Sequence, residues 1–244
     1  MSVKPYKTEK SSKKQQVANM FNNIAGKYDF LNHFLSMGID KLWRKRAIDS
    51  LKHLKEPYIL DVATGTGDLA IMAHKRLNAK VTGVDISVEM LKVAEKKIKD
   101  SDLEDVIDVA EGDSENLPFS DETFDAVTVA FGVRNYENLH KGLSEMARVL
   151  KPEGRMVILE FSRPAVFPFR QLYFFYFKKM LPFFGGMISK DKAAYEYLPE
   201  SVLNFPDGEA FDNELRKAGM TPVKRRKQTF GIATIYVAEK QKTQ

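Results

Sequence analysis

Apolar positions change their spacing along the chain. Over residues 16–55 they recur at helical intervals, first in QVANMFNNIAGKYDFLNHFL and then in DKLWRKRAIDSLKHL, with Gly38 marking the break. From residue 58 short, near-continuous apolar runs alternate with amphipathic ones. YILDVAT, KVTGVDI, DVIDVAEGD, TFDAVTVAF and RMVILEF predict five strands. DLAIMAHKRL, SVEMLKVAEKKIKD and NLHKGLSEMARVLK predict helices among them, the last ending at Pro152 and Gly154. Ser87 stands where an N-cap belongs. At the end, TPVKRRKQTF and GIATIYVAEK predict an antiparallel hairpin turning near Gly231.

Strands separated by amphipathic helices imply an α/β fold, a mostly parallel sheet with helices on both faces. Ligands of such sheets bind beyond the carboxyl ends of the strands. TGTG, VDI, EGD and AFGVRN all fall at such ends. The chain therefore divides into a disordered basic tail over 1–15, a helical N-terminal cover over 16–55, and an α/β domain over 56–244. That domain carries a helical insertion around 164–205. Its aromatic stretch, PAVFPFRQLYFFYFKKMLPFFGGM, reads either as helix packed on the domain or as a lid or interfacial helix that meets an apolar substrate.

Composition narrows the chemistry. The chain has 244 residues and no cysteine, which excludes disulfides, thiolate catalysis and cysteine metal sites. Four histidines without ligand spacing leave no metal site expected. The N-terminus lacks the apolar core of a signal peptide, and no run of about 18 apolar residues occurs. The expectation is a cytoplasmic protein, soluble or peripheral on the inner face of the membrane. The net charge of +5 is carried by the ends, +4 over residues 1–16 and +5 over 221–244, against −4 between them. No nucleic-acid face is implied; basic ends are either solvated tails or attracted to an anionic membrane. A homo-oligomer is left open.

The turn DVATGTGDLA places Gly65 and Gly67 between a strand and a helix N-terminus, where backbone approaches a ligand closely. Read from Gly65 it fits GxGxxA, with Asp85 about 20 residues on, as in a dinucleotide site. Three features favour S-adenosylmethionine instead. Asp61 precedes the turn and suits a cation better than a diphosphate. Asp113 and Ser114 offer an acceptor and a donor to an adenine. A terminal hairpin replaces the second nucleotide-binding half. Asp85 would then accept from ribose hydroxyls.

MFNNIAGKYDFLNHFLSMGIDKLWRK, LDVATGTGDLA, GVDISVEML, SENLPFSDETFDAVTVAFGVRN, EMARVLKPEGRMVILEFSRP and AYEYLPESVLNFPDGEAF together resemble the ubiquinone/menaquinone biosynthesis C-methyltransferase family. The resemblance covers nearly the whole chain except the basic ends. It implies a Rossmann-like class I methyltransferase fold with a seven-stranded, mostly parallel sheet. It implies methyl transfer from S-adenosylmethionine to a ring carbon of a prenylated quinol, 2-demethylmenaquinol rather than a benzoquinol of the ubiquinone pathway. An NAD-dependent oxidoreductase is the competing reading. By the same resemblance Thr66, Asp85, Asp113 and Ser114 contact the cofactor, and Tyr28 lies against it under the N-terminal segment. Ala130 stands where some members carry a cofactor-touching serine.

A quinol ring carbon becomes nucleophilic when a neighbouring hydroxyl loses its proton. A site for it needs positioning, a proton acceptor and a cation near the developing oxyanion. Arg134, at the end of AFGVRN, suits the third task, with Asn135 fixing the arginine or the second quinol oxygen. A guanidinium stays protonated, so the arginine lowers the quinol pKa and does not act as base. The competing reading makes Arg134 a loop anchor through a salt bridge. His33 is a candidate proton acceptor.

Overall fold

A computed structural model of the chain describes residues 3–164, 167, 170–171 and 192–242. The alternation from residue 58 onward folds into one seven-stranded sheet. Its strands are β1 (Tyr58–Val62), β2 (Lys80–Asp85), β3 (Ile107–Glu111), β4 (Phe124–Ala130), β5 (Leu150–Phe161), β6 (Met220–Gln228) and β7 (Ala233–Lys240). They lie in the order β3-β2-β1-β4-β5-β7-β6. Strands β1 to β5 are parallel, and β7 runs antiparallel to both β5 and β6. The described helices are α1 (Lys13–Leu35), α2 (Ile39–Ile48), α3 (Asp68–Leu77), α4 (Val88–Lys99), α5 (Leu139–Val149), α6 (Lys192–Asn204) and α7 (Glu209–Lys217). Sheet, hairpin and helix order follow the predicted architecture.

The central strands are apolar on both faces because both are covered. Neighbours in β1 turn opposite ways: Leu60 joins Leu143, Met146, Phe211 and Leu215 of α5 and α7, and Ile59 joins Trp43, Ile48, Leu69 and Ala73 of α2 and α3. All ten side chains except Trp43 and Leu69 are 0 or 1% exposed. The chain runs outward from β1 through β2 to β3, then returns to β4 beside β1. That reversal opens a crevice beyond the carboxyl ends of β1 and β4. Ser87 caps α4 as expected, its Oγ accepting from Met90 N at 3.3 Å.

Two sequence expectations are corrected. Helix α5 stops at Val149, and β5 begins at Leu150, five residues before the predicted strand. Pro152 has no N–H to continue a helix and pushes Lys151 toward extended backbone, so Leu150 pairs with Phe124 instead. Residues 3–12 are not a loose tail. Gln16 accepts from Tyr6 N at 2.9 Å and donates to the carbonyls of Glu9 and Ser11, while Val3 and Tyr6 pack against Val17 and Met20. A single buried amide thus satisfies a segment whose lysines suggested disorder. The basic stretch over 224–227 lies in the predicted hairpin, on the edge strand β6, where exposed Lys and Arg discourage pairing with another sheet. Most of the aromatic stretch over 164–187 lies outside the described residues, and with it the choice between lid and membrane contact.

Candidate active site

The four strand ends named from the sequence converge. Backbone after β1 turns through left-handed conformations at Ala63 (φ 53°), Gly65 (φ 57°) and Gly67 (φ 79°). Asp85, ending β2, fixes this turn: its carboxylate accepts from Gly65 N and from Ser87 N, each at 2.8 Å. Burial raises its pKa, and these backbone donors oppose the rise. Ile86 N donates to it as well, so about one of its roughly four acceptor positions is left for a ligand. Gly67 makes the expected left-handed turn and has a second duty. A Cβ there would sit 3.2 Å from Ala94 Cβ, so the glycine lets α3 pack against α4.

Asp61 is almost fully buried, and accepts from Thr64 Oγ1 and Thr128 Oγ1 at 2.7 Å each. Burial nevertheless pushes its carboxyl up to about 6. A carboxylate raised in this way gains from a cationic ligand.

Three cavities meet here. The first, about 690 Å³, is lined by Asp85, Gly112, Asp113, Ser114 and Asn135. The second, about 750 Å³, is lined by Trp43, Phe131, Arg134, Phe161 and Leu198, with Asn32, Ser36, Asp40 and Arg44 as its other polar wall. The third, about 320 Å³, lies among Asp61, Thr64, Gly65 and Thr66. Tyr28 lines all three. Phe21 and Phe131 separate the first two. Burial pushes the Tyr28 hydroxyl above its ordinary range, against a hydrogen bond with Asn32, so it stays a donor.

Arg134 and Asn135, adjacent in sequence, face different cavities. Asn135 lines the first, its buried Oδ1 without a partner among the described residues. It does not line the second cavity. Arg134 points into the second. Its Nη1 is 2.9 Å from Glu160 Oε1, and its guanidinium carbon lies 5.4 Å from the centre of the Phe161 ring. Glu160 is fully buried and also accepts from Phe161 N at 2.8 Å. Burial raises the Glu160 pKa while the Arg134 charge opposes it. Arg134 Nε is buried without a partner among the described residues. The arginine is therefore both anchored and available.

Helix α1 roofs the cavities through ionic and polar latches. Lys13 Nζ donates to the carbonyls of Arg134 (3.0 Å) and Tyr136 (2.8 Å), and Lys14 Nζ pairs with Asp113 at 2.6 Å. Asn22 Oδ1 accepts from Ser87 Oγ at 2.7 Å. Thr66 Oγ1 donates to Asp29 at 2.5 Å, and Asp29 pairs with Lys97. Thr66 thus spends its hydroxyl on the roof in this conformation. His33 sits between Asp40 (2.9 Å) and Asp68 (3.6 Å) and lines none of the three cavities, so it is a tie between helices rather than a direct proton acceptor.

Sequence reading missed Phe21, Ser36, Asp40, Arg44, Phe131 and Glu160. Glu160 carried a signal, an acidic residue inside the strand run VILEF, where an unpaired carboxylate is costly. Asp40 and Arg44 had only helical spacing in a strongly charged helix to mark them.

The model of the ubiE/COQ5 methyltransferase family matches residues 9–240. A demethylmenaquinone methyltransferase of Bacteroides fragilis is 48% identical over 239 residues, covering 98% of this chain and 97% of its own length. A ubiquinone/menaquinone biosynthesis C-methyltransferase UbiE of Geotalea daltonii is 46% identical over 235 residues, covering 96% and 98%. Among solved structures, a SAM-dependent methyltransferase from Thermotoga maritima matches with a TM-score of 0.65 at 21% identity, over 92% of this chain and 99% of the other. The [4+2]-cyclase SpnF matches with a TM-score of 0.70 at 15% identity, over 95% and 97%. The last two speak to fold alone.

Proposed function

The chain belongs to the ubiE/COQ5 methyltransferase family and is an S-adenosylmethionine-dependent C-methyltransferase of quinone biosynthesis; from that premise we propose its acceptor and the task of each residue. The acceptor is 2-demethylmenaquinol, and its ring occupies the cavity between Phe131, Phe161 and Arg134. The observation that carries this reading is the junction at Tyr28, where the three cavities touch.

The residues fit the cofactor. Asp85 lines the first cavity with acceptor capacity left for a ribose hydroxyl, and Asp113, Ser114 and the unpartnered Asn135 Oδ1 offer polar contacts in the same cavity. Asp61, raised by burial, suits an ammonium in the neighbouring small cavity. When bound, S-adenosylmethionine supplies an electrophilic sulfonium methyl. Asp85 and Asp61 fix its two ends, and Tyr28, Phe21 and Phe131 exclude water where the cavities meet.

In the ring cavity Arg134 holds the oxygen next to the carbon that gains the methyl. Its fixed charge stabilises the quinolate left when that hydroxyl gives its proton to water, and the quinolate places negative charge on that carbon. Glu160 keeps the guanidinium in place. Met20, Ile24, Ala194 and Leu198 give the start of the prenyl tail an apolar path. Met37 and Leu42 are 83% and 43% exposed beside Lys41 and Lys45, which supports a peripheral contact with an anionic membrane. The test is Arg134→Ala. It should lose turnover by about a thousandfold, the scale of a lost oxyanion contact, and keep its affinity for S-adenosylhomocysteine. Near-normal turnover would sink the assignment.

A further inference from the structure

The ring cavity holds a second cation–carboxylate pair that the proposed methylation does not use. Asp40 and Arg44 of α2 line it together with Ser36. Asp40 is 4% exposed at its side chain and Arg44 7%. Asp40 accepts from Ser36 Oγ at 2.5 Å and from His33 Nδ1 at 2.9 Å, and it pairs with Arg44 Nη1. Against the cost of burial, the Ser36 hydrogen bond and the charges of Arg44 and His33 hold its carboxyl below the ordinary range. Asp68 and Lys97 stand behind His33 and complete the charged surroundings.

The aromatic floor has a guanidinium at each of its two rings. Arg44 lies 5.5 Å from the centre of Phe131, Arg134 lies 5.4 Å from that of Phe161, and the two rings are 4.5 Å apart. A quinol also has two poles, its para oxygens. With one at Arg134, the other is left to the Ser36–Asp40–Arg44 wall.

We infer that Asp40 accepts a hydrogen bond from the second ring hydroxyl and so makes the site selective for the reduced quinol over the quinone. The inference rests on the reading of this cavity as the ring site. An ionised carboxylate only accepts, and three of its roughly four acceptor positions are taken, leaving one. A quinol hydroxyl can donate to it. A quinone oxygen brings lone pairs only, and acceptor would face acceptor. Rejection by an unpaired polar group is a stronger discriminator than any change of shape of this size. Selectivity matters to the reaction, because a quinone has no hydroxyl proton to lose and no nucleophilic ring carbon.

The experiment is an anaerobic assay on the full chain with a short-tailed demethylnaphthoquinol as acceptor and the corresponding quinone as competitor. The wild type should show a quinone inhibition constant about tenfold or more above the KM of the quinol. Asp40→Asn carries an amide that can donate, and should bring the two constants within about threefold, with Asp40→Glu restoring the gap. Calorimetry with S-adenosylhomocysteine checks that the variants are folded. Unchanged discrimination in folded Asp40→Asn overturns the inference. So does a wild type that binds both forms alike, which decides the matter even if the variant does not fold. Failure of the wild type to methylate any quinol contradicts the acceptor reading itself, and the two failures are told apart.

Discussion

Replacing Glu160 by glutamine removes one charge and almost no volume, at a position 0% exposed. The carboxylate takes Arg134 Nη1 at 2.9 Å, Arg134 N at 3.3 Å and Phe161 N at 2.8 Å. A glutamine oxygen keeps one side of that set, but its NH₂ then faces donors. Breaking a buried pair by removing one partner costs about 3–5 kcal/mol. A retained neutral hydrogen bond returns about 1 kcal/mol. The variant should therefore lose about 3 kcal/mol of stability in urea unfolding at neutral pH. Turnover should fall further than folding explains. Arg134 keeps its charge but loses the restraint on its direction, and a displacement of about 1 Å at a reacting group costs on the order of a hundredfold. Affinity for S-adenosylhomocysteine should hold, since Glu160 lines none of the three cavities. A folded Glu160→Gln protein with kcat within about threefold of wild type would refute the reasoning, because Arg134 would then act without its buried partner or not act at all.

Other outcomes follow from single features. The folded-state pKa of Asp61 is raised from 3.8 to about 6, so its contribution is fully present below the unfolded value and is lost as pH rises through about 6. Between about pH 4 and pH 7 the wild type should lose about 3 kcal/mol relative to Asp61→Asn; parallel urea stabilities would contradict this. The same group predicts that S-adenosylhomocysteine binds more weakly as pH falls below about 6, while 5′-methylthioadenosine, which has no ammonium, does not follow. A Cβ at Gly132 would lie 2.7 Å from Ala63 Cβ and 2.9 Å from Val129 Cγ1, so Gly132→Ala should cost about 1–3 kcal/mol by overpacking and lower kcat by moving the Arg134 turn; unaltered melting and turnover would count against that packing. Met37→Ser with Leu42→Ser should reduce flotation with anionic liposomes, and undiminished flotation argues against this membrane face.

The sheet was legible because its central strands are buried on both sides and so carry continuous apolar runs, and because Ser87, Gly38 and Gly231 punctuate the chain where helices and turns change. The strand-end site followed from topology: Asp61, Asp85, Asp113 and Arg134 lie together because parallel strands deliver their carboxyl ends to one edge. What stayed hidden depends on side-chain direction. Arg134 and Asn135 are neighbours in a short 3₁₀ turn, Val133–Asn135, and diverge into different cavities, which no spacing rule reveals. Gly67 makes the turn its sequence suggested, and its second task, the close approach of Ala94, has no sequence signal. Residues 3–12 looked disordered by composition, yet the Gln16 amide alone supplies three of their backbone partners.

The central claim is that this site methylates a ring carbon of a prenylated quinol. Its most direct measurement is transfer of an isotope-labelled methyl group from S-adenosylmethionine to reduced demethylnaphthoquinol and to the matching benzoquinol, with the product position read by NMR. Label should appear on the ring carbon beside a hydroxyl, with the naphthoquinol the better acceptor and its turnover lost in Arg134→Ala. Label on oxygen, or no transfer to either quinol, would contradict it.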